Sequence, residues 1–205
     1  ILENYKYSIA VSGTHGKTTT TSMLSYILID ADTDPTISVG GILDSIGGNI
    51  RVGKSEYFVT EACEYTNSYH AFKPFISIIL NVDADHLDFF KDIDEIAESF
   101  HVFATKTPKE GLVIVNGDMK YYDTVVRDLE CRVVTFGKGA QNKYSAHNIR
   151  FDDFGHPTYT LVVDGKEITD ITLKVFGEHN VYNSLSAIAA SLELGISIDV
   201  IKQGL

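Results

Sequence analysis

The 205-residue sequence has no tryptophan, only two cysteines and only four prolines. No apolar run approaches the roughly 20 residues that a membrane-spanning helix requires, so we expect no membrane segment. Cys63 and Cys131 lie far apart and lack the paired spacing of a metal site. They predict reduced thiols in a cytoplasmic protein.

Basic residues are also scarce, with 17 Lys and Arg against 28 Asp and Glu and a net charge of −11. A surface this acidic repels the phosphates of nucleic acids, so we expect no nucleic-acid partner. The start of the chain has no basic segment before its first apolar run, which predicts that there is no signal peptide. The first residue is not methionine and the last residues have a helical pattern, so we expect a fragment or excised domain. The alternative is a processed protein.

Apolar segments alternate between strand-like and helix-like patterns. Strands are predicted at residues 6–12, 57–62, 75–82, 111–116 and 131–137, and helices at 17–29, 93–103, 119–129, 179–195 and 197–205. This order predicts an α/β fold in which a mostly parallel sheet is flanked by helices. Between residues 144 and 176 the pattern alternates more, and Asp164-Gly165 separates two runs, which predicts a small antiparallel β-hairpin.

The segment "SGTHGKTTTTSM" lies between the first predicted strand and the first predicted helix. Gly13 and Gly16 permit close approach of the backbone to a ligand, Lys17 can neutralise phosphate oxygens, and the Thr18 hydroxyl can bind Mg²⁺. These features predict a P-loop NTPase-like domain that binds ATP with Mg²⁺. The pattern departs from G-x-x-x-x-G-K-[ST] because Val11 stands where the first glycine is expected. The alternative is a helix capped by Ser12 or Thr14.

Acidic residues follow two of the predicted strands. Glu61 and Glu64 end the strand at 57–62, and the segment "NVDADHLDFF" places His86 among several aspartates after the next strand. Carboxylates at the carboxyl ends of parallel strands can hold Mg²⁺, although imidazole better suits transition metals. The alternative for either segment is a solvated loop.

A histidine and two asparagines cluster where the helix at 179–195 begins. Asn180 is a candidate helix cap. Alternatively, the amides of Asn180 and Asn183, together with the His179 ring, can bind an adenine base.

The three segments, in this order, resemble motifs of the Mur ligase family. "GTHGKT" resembles its G-T-x-G-K-T loop, and "HNVYNSLSA" resembles its H-N-x-x-N-x-x-A-A motif, with Ser186 where alanine is common. The resemblance implies catalytic roles for Lys17, Glu61 and His86, with Thr18, Glu61 and His86 as metal ligands. It implies that ATP binds to the loop residues (Gly13, Thr14, His15, Gly16, Lys17, Thr18 and Thr19) and to His179, Asn180 and Asn183. Glu64 stays a competitor of Glu61.

The resemblance also implies an activity. Mur ligases form an acyl phosphate from a substrate carboxylate and ATP, and an amine then displaces the phosphate during peptidoglycan biosynthesis. His15 and the segment "EACEYTNSY" favour the branch that joins L-alanine to UDP-N-acetylmuramate.

Residues 1–205 then correspond to the central ATP-binding domain, without the N-terminal UDP-binding and C-terminal amino-acid-binding domains, and are not expected to ligate alone. The alternatives are another Mur-type or folylpolyglutamate-type amide ligase and a non-catalytic P-loop nucleotide-binding module. A GTPase is disfavoured because the sequence has no N-K-x-D motif.

Overall fold

A computed structural model describes residues 2–86 and 88–205 of the chain, in which ten strands form one sheet. The strands are β1 (Tyr7–Ser12), β2 (Thr36–Leu43), β3 (Gly48–Arg51), β4 (Tyr57–Glu61), β5 (Ile76–Ile79), β6 (Leu112–Asn116), β7 (Arg132–Gly137), β8 (Tyr144–Phe151), β9 (Pro157–Val163) and β10 (Lys166–Thr172). The α-helices are α1 (Lys17–Asp30), α2 (Ile93–Ala104), α3 (Tyr122–Val126), α4 (His179–Glu193) and α5 (Ile198–Gly204). No helix in this described part is long and apolar enough to cross a membrane.

The strand order is β10-β9-β8-β7-β6-β5-β1-β4-β2-β3. Every pairing from β2 across to β8 is parallel, whereas β3 at one edge and β9 and β10 at the other pair antiparallel. The α/β prediction with a mostly parallel sheet and an antiparallel hairpin is therefore confirmed. Strands β1, β4 and β5 are neighbours, so the loops that follow them meet at one edge of the sheet.

Helices cover both faces of the sheet. On one face, apolar side chains of α1 and α4 such as Leu24 and Leu185 pack against Ile9 and Ile78; on the other, Phe100 of α2 packs against the opposite sides of β5 and β6. All of these side chains are inaccessible to solvent. Fully burying a side chain of this kind contributes about 1.5–3 kcal/mol, so the two layers hold the strand ends in fixed positions.

Three local differences from the sequence predictions have physical reasons. The strand predicted to continue to residue 82 ends at Ile79, because residues 80–83 turn to contact the loop that follows β1. The helix predicted at 119–129 is confined to Tyr122–Val126, because the backbone leaves the helical region at Arg127 (ψ 130°) and Asp128 has a positive φ of 54°. The β2–β3 hairpin was not predicted, because Gly40 and Gly41 weaken the strand pattern of β2.

The predicted hairpin turn between β9 and β10 is confirmed. Asp164 and Gly165 both have positive φ, at 49° and 74°, as a two-residue type I′ turn requires.

Candidate functional site

The loop between β1 and α1 requires glycine at two positions. Gly13 has a φ of 143°, and a Cβ placed on it would lie 2.9 Å from Leu80 Cβ. Gly16 has a φ of 86°, and a Cβ there would lie 2.5 Å from Asn183 Oδ1. Both glycines therefore allow backbone paths that other residues would strain, and they bring the loop against β5 and α4.

The segment after β5 forms one wall of this loop. The Asn81 side chain accepts a hydrogen bond from the His15 N–H (2.8 Å) and donates one to the His15 carbonyl (3.0 Å). The Thr14 N–H donates to the Asn81 carbonyl (3.3 Å), and the Thr14 hydroxyl accepts from the Asp83 N–H (2.9 Å). The backbone N–H groups of Thr14 and His15 are therefore already paired.

The next four backbone N–H groups, those of residues 16–19, have no acceptor within the described residues. They lie at the N-terminus of α1, where unpaired N–H groups and the helix dipole favour an anion. The alternative of a side-chain cap is wrong, because Gly16 occupies the N-cap position. The hydroxyl of Ser12 donates instead to the Ile78 carbonyl (2.9 Å), and that of Thr14 bonds to Asp83.

Lys17, the first residue of α1, points back towards the loop and an acidic partner. Its Nζ donates to the carbonyls of Gly13 (2.5 Å) and Thr14 (3.2 Å) and lies 3.1 Å from Glu64 Oε2. The Glu64 side chain is only 2% exposed, so the pair is mostly shielded from water. Glu64 is thus the counter-ion of Lys17 in this structure.

Thr18 meets the other carboxylate that the sequence proposed. Its hydroxyl donates to Glu61 Oε2 at 3.1 Å, and the Gly40 N–H donates to Glu61 Oε1 at 2.5 Å. A hydroxyl and a carboxylate are hard oxygen donors of the kind that Mg²⁺ prefers. The residues present therefore fit a magnesium ion at the start of α1.

His86 is brought to Glu64 rather than to Glu61. Its Nε2 lies 3.7 Å from Glu64 Oε1 and 3.8 Å from Asp85 Oδ2, and one ligand atom from each of the three residues lies within 4.8 Å of the others. The Tyr65 ring packs on the imidazole with centroids 4.7 Å apart. Two carboxylates and an imidazole can hold a divalent cation. The sequence left Glu61 and Glu64 as competing metal ligands, and in the structure they belong to different clusters: Glu61 to that of Thr18, and Glu64 to that of His86.

The residues predicted at the start of α4 also lie beside the loop. Asn180 is not the helix cap; it lies in the first turn, where its Nδ2 donates to the Phe176 carbonyl (2.8 Å). Asn180 Oδ1 accepts a hydrogen bond from Asn183 Nδ2 (2.8 Å). The other side-chain atom of that amide, Asn183 Oδ1, therefore faces Gly16. His179 and Asn183 line a pocket of about 240 Å³, together with His15, Gly16, Leu80, Asn81, Asn116, Phe136 and Tyr182.

A charged pair stands next to this pocket. Lys138 Nζ lies 2.6 Å from Glu178 Oε1 and 5.2 Å from the centre of the Tyr182 ring. The hydrogen bond from Lys138 lowers the pKa of Glu178, and burial raises the pKa of the Tyr182 phenol. Both side chains therefore keep their ordinary charge states at neutral pH.

Sequence reasoning missed several residues of the site. Asn81, Gly40, Asn116, Phe136 and Tyr182 contact it. Asn81 and Tyr182 lie inside segments that the sequence singled out, but at positions to which it assigned no role, and the other three lie in no such segment. The signal that was available is positional, since Asn81 and Asn116 both stand at the carboxyl ends of buried strands.

The loop contains glycines and joins a strand to a helix, its Lys-Thr pair begins that helix, and four amides there have no acceptor among the described residues. These features define the class of P-loop nucleotide-binding domains. A family model described as the Mur ligase middle domain matches residues 11–191, and the chain belongs to this family.

The relatives are consistent with the family. The chain is 55% identical to UDP-N-acetylmuramate–L-alanine ligase of Lachnospira eligens over 206 residues, which cover 100% of this chain and 45% of the relative. Among solved structures, it resembles UDP-N-acetylmuramate:L-alanyl-γ-D-glutamyl-meso-diaminopimelate ligase from Neisseria meningitides (TM-score 0.88, 28% identity, covering 100% of this chain and 66% of that one).

It also resembles UDP-N-acetylmuramate–alanine ligase from Thermotoga maritima (TM-score 0.84, 29% identity, covering 100% of this chain and 45% of that one). The chain thus spans less than half the length of the Lachnospira eligens relative.

Proposed function

We propose that the complete protein is an ATP-dependent ligase that joins L-alanine to UDP-N-acetylmuramate through an acyl phosphate, in the cytoplasm. Residues 1–205 form its central ATP-binding domain, and a UDP-binding and an amino-acid-binding domain flank it. The observation that carries the proposal is the set of four amides at the start of α1 that have no acceptor in residues 2–86 and 88–205. They lie beside Lys17 and the Thr18–Glu61 oxygen pair. The choice of substrates rests on the named relatives.

When bound, ATP supplies the phosphoryl group that activates a carboxylate, and Mg²⁺ supplies positive charge. Two anions must approach each other in this reaction, so the chain has to concentrate positive potential at one point. The amides of residues 16–19 and the Lys17 ammonium do this for the phosphates. Thr18 and Glu61 are the residues that would hold Mg²⁺, and His86, with Glu64 and Asp85, would hold a second cation.

The start of α4 would bind the nucleobase. Asn183 and His179 line the pocket next to the loop, and Asn180 fixes the Asn183 amide through their mutual hydrogen bond. The proximity of Asn183 to Gly16 supports this assignment, because the pocket then adjoins the amides that we propose bind the phosphates. One ligand can therefore span both, as a nucleoside triphosphate requires.

The test uses the complete protein with ATP, Mg²⁺, UDP-N-acetylmuramate and a panel of amino acids and peptides. We expect phosphate release and a new amide bond with L-alanine. Lys17→Ala should lower turnover by about 100-fold or more, because it removes a cation from the developing charge. Lys166→Ala, an exposed lysine at the start of β10, is the matched control and should leave activity unchanged.

Three outcomes would count against the proposal. Ligation of D-glutamate or a tripeptide instead of L-alanine would indicate another Mur-type ligase. ATP binding without any ligation by the complete protein would indicate a non-catalytic nucleotide-binding module. Full activity of Lys17→Ala would contradict the assignment of the phosphate site itself. The 205-residue chain alone should bind Mg-ATP weakly and form no amide bond.

A further inference from the structure

We infer that Asn81 is a positioning residue that aims the backbone amide of Gly16 at the phosphates. The inference rests on the proposed function and deepens it, because it concerns how the loop is prepared before the nucleotide arrives. Asn81 is the second residue after β5, outside the "GTHGKT" motif that identifies the loop.

The geometry is a two-point contact with a single residue. Asn81 Oδ1 accepts from the His15 N–H at 2.8 Å, and Asn81 Nδ2 donates to the His15 carbonyl at 3.0 Å. One planar side-chain amide therefore holds both polar backbone groups of His15. The orientation of the Asn81 amide group is set unambiguously, since the reverse orientation would face donor with donor and acceptor with acceptor.

The contact matters because a trans peptide unit is planar. The His15 carbonyl and the Gly16 N–H belong to the same peptide and point in opposite directions. Holding the carbonyl towards Asn81 therefore turns the Gly16 N–H away from Asn81. Like the N–H groups of residues 17–19, it then has no acceptor among the described residues.

Gly16 makes this restraint necessary. Glycine at a φ of 86° has little steric preference between peptide orientations, so without a partner the peptide between His15 and Gly16 can rotate. Rotation would turn the Gly16 N–H out of the anion site. The general phosphate-loop pattern has its first glycine where this chain has Val11, a residue of β1. The conformation of the loop therefore depends on its contacts with the segment that follows β5.

The experiment compares ATP and AMP binding by the complete protein and by Asn81→Ala, using titration calorimetry. AMP lacks the β- and γ-phosphates, so the ratio of the two affinities reports on the phosphate loop. We expect the preference for ATP over AMP to fall about tenfold, which corresponds to about 1.4 kcal/mol. Hydrogen exchange of the His15 amide in the nucleotide-free protein should become faster, because its acceptor is lost.

Asn4→Ala is the matched control, because Asn4 is an exposed asparagine that precedes β1, at the opposite end of that strand from the loop. It should leave the affinity ratio unchanged. If Asn81→Ala does not fold, Asn81→Gln replaces it; its longer stem displaces the amide, and the affinity ratio should again fall.

An unchanged ratio in a folded Asn81 variant, with wild-type protein that prefers ATP, would overturn this inference and leave the proposed function intact. An equal loss of ATP and AMP affinity would also overturn it, since that result would mean a general structural role. Wild-type protein that binds neither nucleotide would overturn the proposed function and the inference with it.

Discussion

The ion pair between Lys17 and Glu64 makes a quantitative prediction about stability. Replacing Lys17 with methionine keeps the volume of the side chain but leaves a carboxylate that is 2% exposed without its ammonium partner. Removing one partner of a buried pair typically costs about 3–5 kcal/mol. Because Lys17 is 16% exposed and His86 stays 3.7 Å from Glu64, we expect the lower end, about 3 kcal/mol.

Removing the acid instead should cost less. In Glu64→Gln, the Lys17 ammonium still donates to the carbonyls of Gly13 and Thr14, so we expect a loss of about 1–2 kcal/mol. The double variant should lose less than the sum of the single variants, by about 1–2 kcal/mol, because no charge is then left unpaired.

The assay is nucleotide-free thermal and urea unfolding of the 205-residue chain and its three variants. For a domain of this size, 1 kcal/mol shifts Tm by about 2–4 °C, so Lys17→Met should lower Tm by about 6–12 °C. Strictly additive effects of the two substitutions would refute the reasoning, since they would mean that the two charges do not stabilise each other. Asn4→Ala again serves as a control that should change Tm by no more than about 2 °C.

Two further predictions concern the loop and the far end of α4. Gly16→Ala should destabilise the chain by about 1–3 kcal/mol and abolish ATP binding, because a Cβ would meet Asn183 at a φ of 86°; calorimetry that shows wild-type affinity would contradict this.

Glu193 is the second case: burial alone would raise its pKa, but hydrogen bonds from three donors outweigh burial and lower it. Its contribution to the free energy of unfolding is therefore present above the unfolded pKa of about 4.3 and is lost as pH falls through the folded value. The three donors are Lys143, Tyr144 and Arg132. In urea unfolding between pH 6 and 3, the free energy of unfolding should fall less for Glu193→Gln than for wild type. Parallel curves of this free energy against pH for the two proteins would exclude the effect.

Much of the fold follows from local pattern. The continuous apolar run at residues 112–115 predicts a buried strand, and β6 is buried in the structure. Helical spacing of apolar residues predicts the buried face of α1, which consists of Met23, Leu24, Ile27 and Leu28. The Asp164-Gly165 turn is equally local, since positive φ is a property of the two residues themselves. The β2–β3 hairpin was missed because its pairing depends on the neighbouring β4, and Gly40 weakens the local signal.

In the candidate site, too, some features follow from residues adjacent in the chain and others only from the tertiary structure. The sequence determined the loop from Gly13 to Thr18, because glycine freedom, an ammonium and a hydroxyl are properties of residues adjacent in the chain. Tertiary structure alone decided that Glu61 meets Thr18 while Glu64 meets Lys17 and His86, because strand order sets which carboxylate faces which partner. It also decided which amides are available to an anion, since that depends on the side chain of Asn81, 66 positions away from His15.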